Sequence, residues 1–280
     1  MNTIRSCVKI FLVIPMVLCV SRAYCVEGNL SLVRNAPALE LSKYFKPVKE
    51  YGITMTNVIE FSSHVYTLKT VTARKLLNKS KASVLEIYNA VPEAVAAING
   101  SFHAPGVPEE IFAEDGEVSR YRERQHKVFY VTKDGEMKIK WLKRRKGVDA
   151  SDVVTRADMD EMESAVSGFH TGTKKDRTAR TSLCFMADDT IKLIVSYPIV
   201  TLGVAMKYLR DHEKCIDWVQ LDGGGSSQMI YDHDKQFMMG LERTHNDPKT
   251  DERVVCMKER TMYPKSCWRP VTDALVVIPK

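Results

Sequence analysis

Asp217-Trp218-Val219-Gln220-Leu221-Asp222-Gly223-Gly224-Gly225-Ser226-Ser227-Gln228-Met229 is an apolar, β-prone run that ends in a carboxylate, three glycines and two hydroxyls. Glycine permits backbone angles and close approaches that any Cβ would block. Three in a row at a strand end make a turn whose amide N–H groups can converge on one concavity suited to an anion. Asp222 then sits at the rim and Ser226 and Ser227 on the far side. The plainer alternative is a tight turn between two strands, with Asp222 merely capping it. The phosphate loop ending in Gly-Lys-Ser/Thr and the spaced glycine fingerprint of dinucleotide binders are both absent, which argues against a nucleotide cradle.

Outward from this stretch, the segment before it reads as a helix, Thr201 to His212, with apolar residues at helical spacing (Leu202, Ala205, Met206, Leu209). An echo lies upstream: Val91 to Ile98 is a second mostly apolar run, and it ends in Asn99-Gly100-Ser101-Phe102. Two equivalent strand ends meeting at one cleft would form a site; short apolar runs ending in glycine are also common by chance. Asn99-Gly100-Ser101 fits the N-glycosylation pattern as well. A glycan would block a cleft lined by Asn99, so that match is read as accidental.

Between the two runs, Val128 to Val131 and Met137 to Trp141 flank Lys133-Asp134-Gly135-Glu136, a hairpin signal through Asp-Gly. The basic cluster Lys138, Lys140, Lys143, Arg144, Arg145 and Lys146 around Trp141 reads as a solvated strand face and turn rather than a polymer grip. A short helix is expected near Asp158 to Val166. Arg177-Thr178-Ala179-Arg180-Thr181-Ser182 then enters a second hairpin, Leu183 to Met186 and Ile191 to Ser196. An arginine fork binds phosphate through paired donors that lysine does not reproduce. The plain alternative is an arginine paired to a surface carboxylate. Earlier in the chain, Ile53 to Leu68 reads as strands, Val71 to Asn78 as a short helix and Val84 to Tyr88 as a strand. Val271 to Ile278 closes the chain as a strand apolar on both faces, hence central.

At the other end, Arg5 and Lys9 precede the apolar run Ile10 to Val20, and Ser21-Arg22-Ala23 offers a cleavage site. That is the pattern of a signal peptide over residues 1–23, too short to span a membrane comfortably, so no stable span is expected after its removal. Those residues hold three of the 41 basic groups and none of the 35 acids, so the remainder carries 38 − 35 = +3. A mildly basic chain gives no reason to expect nucleic acid as a partner. Residues 24–59 read as a lead-in and 60–280 as a single domain, large enough for a packed core. Export permits disulfides. Cys256 and Cys267, flanking a turn-rich segment, are the expected pair among Cys25, Cys184, Cys215, Cys256 and Cys267. No Cys-x-x-Cys occurs and the histidines are scattered, so no metal site is expected.

Taken in order, Ala97-Ile98-Asn99-Gly100-Ser101-Phe102, Arg180-Thr181-Ser182 and Leu221 to Ser227 resemble the motifs of the phosphodiester glycosidase family, over roughly residues 60–279. The family pattern has a glycine where this chain has Ser101, and an Asp-Gly-Arg-like turn where it has Ser196-Tyr197-Pro198. The resemblance implies an α/β domain of α+β type, a mixed but largely antiparallel sheet packed with a few helices. It implies a secreted or periplasmic hydrolase that cleaves the sugar C1–O bond of a sugar-1-phosphodiester on a cell-surface or exopolysaccharide-type glycan. Asp222, Arg180 and Asn99 are then the catalytic candidates. Gly100, Ser101, Phe102, Arg177, Thr181, Gly223, Gly224, Gly225, Ser226 and Ser227 are the substrate-binding ones. Arg180 and the glycine amides would stabilise the departing phosphate, and Asp222 would act as nucleophile, base for water or electrostatic stabiliser. Asn99 would orient a sugar hydroxyl or N-acetyl group, and Phe102 would pack on the ring. The sequence requires no cofactor, although Asp222 leaves room for a divalent cation. Two other readings stay open: a non-catalytic envelope module binding anionic glycans, and a phosphodiesterase cleaving P–O.

Overall fold

The computed structural model describes residues 40–42, 55–104, 107–108, 110–121, 126–170, 178–231, 245–246, 253–254 and 269–280, all within one compact unit, Leu39–Lys280. The signal sequence, Arg177, Cys256 and Cys267 lie outside the described residues.

In chain order the first strands are β1 (Glu40–Ser42), β2 (Met55–Ser62), β3 (Tyr66–Thr72), β4 (Ala96–Asn99), β5 (His103–Ala104), β6 (Val107–Pro108), β7 (Glu110–Glu114), β8 (Glu117–Tyr121) and β9 (Lys127–Thr132). They are followed by β10 (Met137–Trp141), β11 (Met162–Gly168), β12 (Thr178–Phe185), β13 (Thr190–Val200), β14 (Asp217–Gln220), β15 (Met229–Tyr231), β16 (His245–Asn246), β17 (Arg253–Val254) and β18 (Asp273–Pro279). Four short α-helices interrupt them: α1 (Ala73–Leu77), α2 (Val84–Ala90), α3 (Arg156–Glu161) and α4 (Leu202–Lys207).

The strands form three main sheets, ordered β1-β2-β13-β12-β14, β10-β9-β11-β7-β8 and β15-β4-β18-β3, with every strand pair antiparallel. The architecture is thus the expected largely antiparallel α+β domain, divided into three sheets instead of one. The boundary at residue 59 falls inside β2, which pairs with β13 along its whole length.

Alternation builds the shared core. Ile191, Leu193 and Val195 of β13 point into it, as do Leu275 and Val277 of β18, Phe129 and Val131 of β9, and Ile59 and Phe61 of β2. The opposite face of the third sheet (Val71, Ala97, Ala274, Val276) packs on Val84, Ile87 and Tyr88 of α2. Burial on both faces is why β18 is apolar throughout, and it lies between β4 and β3 as expected. The opposite face of the first sheet (Val58, Cys184, Ile194) is covered by Ala205, Tyr208 and Leu209 of α4 and the π-turn Tyr208–His212 that continues it. A disulfide joins Cys184 of β12 to Cys215, just after that turn.

Two expectations for local structure fail. Val84 to Tyr88 is helical, not a strand. Ser83 and Glu86 form a reciprocal capping box, and the buried Val84, Ile87 and Tyr88 fall at i, i+3 and i+4. The helix expected near Asp158 to Val166 stops at Glu161, and Met162–Gly168 is β11, hydrogen-bonded to β9 on one side and β7 on the other. Tertiary pairing overrides the local pattern there. The Asp-Gly hairpin joins β9 to β10 with Gly135 at φ +88. Of the basic cluster beside it, Lys140 pairs with Asp158 at 2.8 Å, Arg145 lies over the Trp141 ring at 5.0 Å, and residues 143–146 are exposed.

Candidate active site at the seam of two sheets

Four strand ends meet where the first and third sheets abut. β4 ends at Asn99, β18 starts at Asp273, β12 carries Arg180 and Thr181, and β14 runs into Leu221-Asp222. Backbone hydrogen bonds stitch the seam: Leu221 N–H donates to the Thr181 carbonyl (2.8 Å) and Asp222 N–H to the Gly100 carbonyl (3.2 Å). The two echoing strand ends therefore do meet, each in its own sheet.

Asn99 is the hub of this seam. It is fully buried; its Nδ2 donates to the Asp222 carbonyl (2.7 Å), and its Oδ1 accepts from the Thr181 hydroxyl (2.8 Å) and the Gln228 N–H (3.1 Å). A fully buried amide committed to three partners ties the three sequence motifs together. These bonds position the glycine turn against the end of β4. The same burial closes Asn99 to glycosylation. Thr181 is likewise fully buried, with its hydroxyl donating to Asn99 Oδ1.

The glycine turn follows. Asp222 is half-buried, and its Oδ1 accepts from Gly223 N–H at 2.9 Å, which holds the carboxylate at the rim. A Cβ on Gly223 would stand 2.7 Å from the Ala179 carbonyl oxygen and 3.8 Å from Cδ of Arg180. Gly224 has φ +64, where a side chain is strained. Gly224–Ser226 forms one 3₁₀ turn in which Ser226 N–H and Ser227 N–H return to the carbonyls of Gly223 and Gly224. The N–H groups of Gly224 and Gly225 meet no acceptor among the described residues. They are the orphan donors that a helical start leaves over. The buried hydroxyls of Ser226 and Ser227 have no hydrogen-bond partner among the described residues either. Arg180 is buried against this turn. Phe102 packs edge-to-face on Phe169, with ring centroids 4.9 Å apart.

Three residues of the site carry no signal in the motifs. Asp273, 1% exposed, accepts from Ser101 N–H through Oδ2 (2.8 Å) and from the Thr272 hydroxyl through Oδ1 (2.8 Å). Burial, reinforced by the negative charge of Asp222 and opposed by those hydrogen bonds, pushes its carboxyl up to about 7. Gln228 is fully buried and bonds Asn99, Val84 N–H (3.2 Å) and the Arg269 carbonyl (2.7 Å). Arg269 lies against Gly225. A charged residue opening an otherwise apolar strand was the available hint at Asp273. Among the described residues no group of three or more His, Cys, Asp or Glu side chains is placed to hold a metal ion.

Among solved structures, the chain is similar to the catalytic domain of zebrafish N-acetylglucosamine-1-phosphodiester alpha-N-acetylglucosaminidase, auto-inhibited by its pro-peptide. That match has a TM-score of 0.59 and 15% identity, covering 88% of this chain and 85% of the other. A hypothetical protein from Synechocystis matches at TM-score 0.53 and 10% identity, covering 88% and 64%. A protein of Burkholderia pseudomallei K96243 classed as exported matches at 0.51 and 13%, covering 80% and 74%. At these identities the likeness is one of fold. No curated protein matches in sequence. The family model of phosphodiester glycosidases matches residues 92–278, which take in Asn99, Arg180, the glycine turn and Asp273; this chain belongs to that family of hydrolases.

Proposed function

We propose that this chain is an exported hydrolase that breaks the C1–O bond of a sugar held in a phosphodiester, on a cell-surface or exopolysaccharide-type glycan. The observation that carries the reading is the glycine turn. One carboxylate, Asp222, shares it with two N–H groups that meet no acceptor among the described residues and with the buried Arg180. Such a turn suits a substrate that is cationic at one centre and anionic at the next as its bond breaks.

In this reaction the C1–O electrons leave with the phosphate oxygen, and the oxygen of water joins C1. One proton of that water stays on the new sugar hydroxyl, and the other passes by way of Asp222 to solvent or to the departing phosphomonoester. The leaving group is already a weakly basic anion, so a carboxylic acid aimed at it, usual in glycosidases, adds little. Asp222 serves the positive charge at the ring carbon, and Arg180 with the Gly224 and Gly225 amides serves the phosphate. Phe102 on Phe169 offers an apolar wall for the sugar. The scheme needs no metal ion; activity that survives exhaustive chelation would support that, and activity restored only by a divalent cation would show that the reaction uses one.

The N-terminal charged and apolar pattern supports a secreted or periplasmic location. No helix among the described residues is long and apolar enough to cross a membrane. Hydrolysis of sugar-1-phosphodiesters in heavy-oxygen water tests the chemistry: label on the sugar is expected. Label on phosphate would mean P–O cleavage, and no turnover across a panel of such diesters would favour a glycan-binding module.

A further inference from the structure

Two arginines touch the glycine turn, one at each end. Arg180 lies by Gly223. Arg269 lies by Gly225, where a Cβ would stand 3.0 Å from its Cδ and 3.5 Å from Nη1. The backbone of Arg269 is firmly held. Its carbonyl accepts from Gln228 Nε2 at 2.7 Å, Pro270 follows with its fixed φ, and Val271 exchanges two hydrogen bonds with Ala82, at 2.8 and 3.0 Å. Gln228 is itself anchored to Asn99 and Val84, so the position of Arg269 is tied to the hub of the site.

The side chain is different. Arg269 is half-buried, yet its guanidinium has no hydrogen bond or ion pair to a side chain among the described residues. Partial desolvation of a cation without a carboxylate is unfavourable unless an anion joins it. Beside it is Gly225, whose N–H meets no acceptor among the described residues. The next two residues, Ser226 and Ser227, carry buried hydroxyls that have no hydrogen-bond partner among the described residues. A role confined to covering Gly225 would use the aliphatic stem and leaves the placement of the charge unexplained.

We infer that Arg269 is a second phosphate-binding arginine of this site, contacting a non-bridging oxygen of the substrate's phosphodiester from the Gly225 end while Arg180 flanks the Gly223 end. The inference rests on the reading of the turn as the seat of the phosphate. Two arginines suit a phosphodiester, whose two non-bridging oxygens share one charge, because each oxygen then meets its own planar donor set.

Calorimetric titration of the full chain with inorganic phosphate tests it. Arg269→Met keeps the stem that lies along Gly225 and removes the donors; it is expected to weaken phosphate binding at least about tenfold, the range of a hydrogen bond to a charged group. Arg269→Lys, which keeps the charge, is expected to fall between Met and wild type. Melting temperatures of both should stay near wild type. Gly225→Ala, which pushes the stem aside without altering charge, should also weaken phosphate binding. Wild-type affinity in Arg269→Met would overturn the inference, as would a wild-type protein that fails to bind phosphate at all. Phosphate binding that depends on Arg269, in a protein that leaves heavy oxygen on phosphorus, would keep the inference and sink the C1–O reading instead.

Discussion

A methyl group built on Gly100 would overlap Oδ2 of Asp273, the atom that accepts the Ser101 N–H, so these two positions are complementary in shape as well as hydrogen-bonded through their backbones. The glycine of the Asn-Gly-Ser motif is there for the carboxylate behind it. Gly100→Ala should therefore destabilise strongly, in the range of overpacked cores, about 1–3 kcal/mol or more. Asp273→Ala should remove the obstruction, leaving the Asp273 carbonyl at 3.3 Å as the nearest contact. A double-mutant cycle by denaturant unfolding is expected to give less than additive loss; strict additivity would show that the two side chains do not meet.

Asp273 also sets a pH dependence. Its carboxyl is pushed up to about 7 in the folded protein, against a reference value of 3.8. Between roughly pH 4 and 7 the folded state keeps a proton that the unfolded state has released. Stability from this group is therefore complete below pH 4, falls as pH rises through that window by at most about 1.4 kcal/mol per unit, and levels off above 7. Asp273→Asn reproduces the protonated form: its Oδ1 can accept the Ser101 N–H while its amide donates to the Thr272 hydroxyl. Chemical denaturation of that variant across the window should lose this slope; an unchanged slope would assign it to another group.

An ionised Asp273 would also place a second negative charge beneath Asp222. Turnover should decline as pH rises through about 7, as phosphate binding is opposed, and Asp273→Asn should hold its activity further into the alkaline range. Matched profiles of kcat/KM for the two proteins decide this. Coincident alkaline limbs would remove Asp273 from the account.

The disulfide places a different demand on the fold. Cys184–Cys215 closes a loop of 31 residues that carries β13 and α4, and it ties the helical cover to the back of the first sheet. Replacing both cysteines by serine should cost about 3–4 kcal/mol by the loop-entropy estimate, less any structure retained in the unfolded chain. Non-reducing peptide mapping should recover the Cys184–Cys215 peptide, and free thiols at both positions would refute the pairing.

What the sequence reveals of this site follows from how each residue announces itself. Asp222 and the three glycines stand out because no ordinary strand needs such a run, and Asn99 and Arg180 stand out through their order along the chain. Asp273 and Arg269 are hidden for the opposite reason. One is a single acid at the head of an apolar strand, the other a single arginine before a proline, and only the packing of β18 beside β4 brings them to the glycine turn. The same limit explains β11. Met162 to Gly168 becomes a strand because β7 and β9 bracket it, and neither neighbour is visible from its own residues. Val84 to Tyr88 is the reverse case: the capping box at Ser83 and Glu86 was in plain view, and the apolar density of the run concealed it.

Arg180 and Asn99 separate chemistry from support. Arg180→Lys keeps a charge beside the turn and loses the paired donors, so turnover should fall about a hundred- to a thousand-fold with little change in melting temperature. Asp222→Asn should be at least as damaging, since an amide neither attacks nor takes a proton, and its isosteric side chain leaves the fold intact. Asn99→Ala should behave differently. It strips partners from the Thr181 hydroxyl, the Gln228 N–H and the Asp222 carbonyl at once, each buried group costing about 1–3 kcal/mol when left unpaired. Its loss should therefore appear in unfolding free energy as well as in rate. Asn99→Asp sharpens the contrast, because a carboxylate would face the Asp222 carbonyl oxygen where the amide now donates. If Asn99→Ala lost all turnover while unfolding at the wild-type denaturant midpoint, Asn99 would be acting on the substrate after all, and the hub would have to be sought elsewhere in the seam.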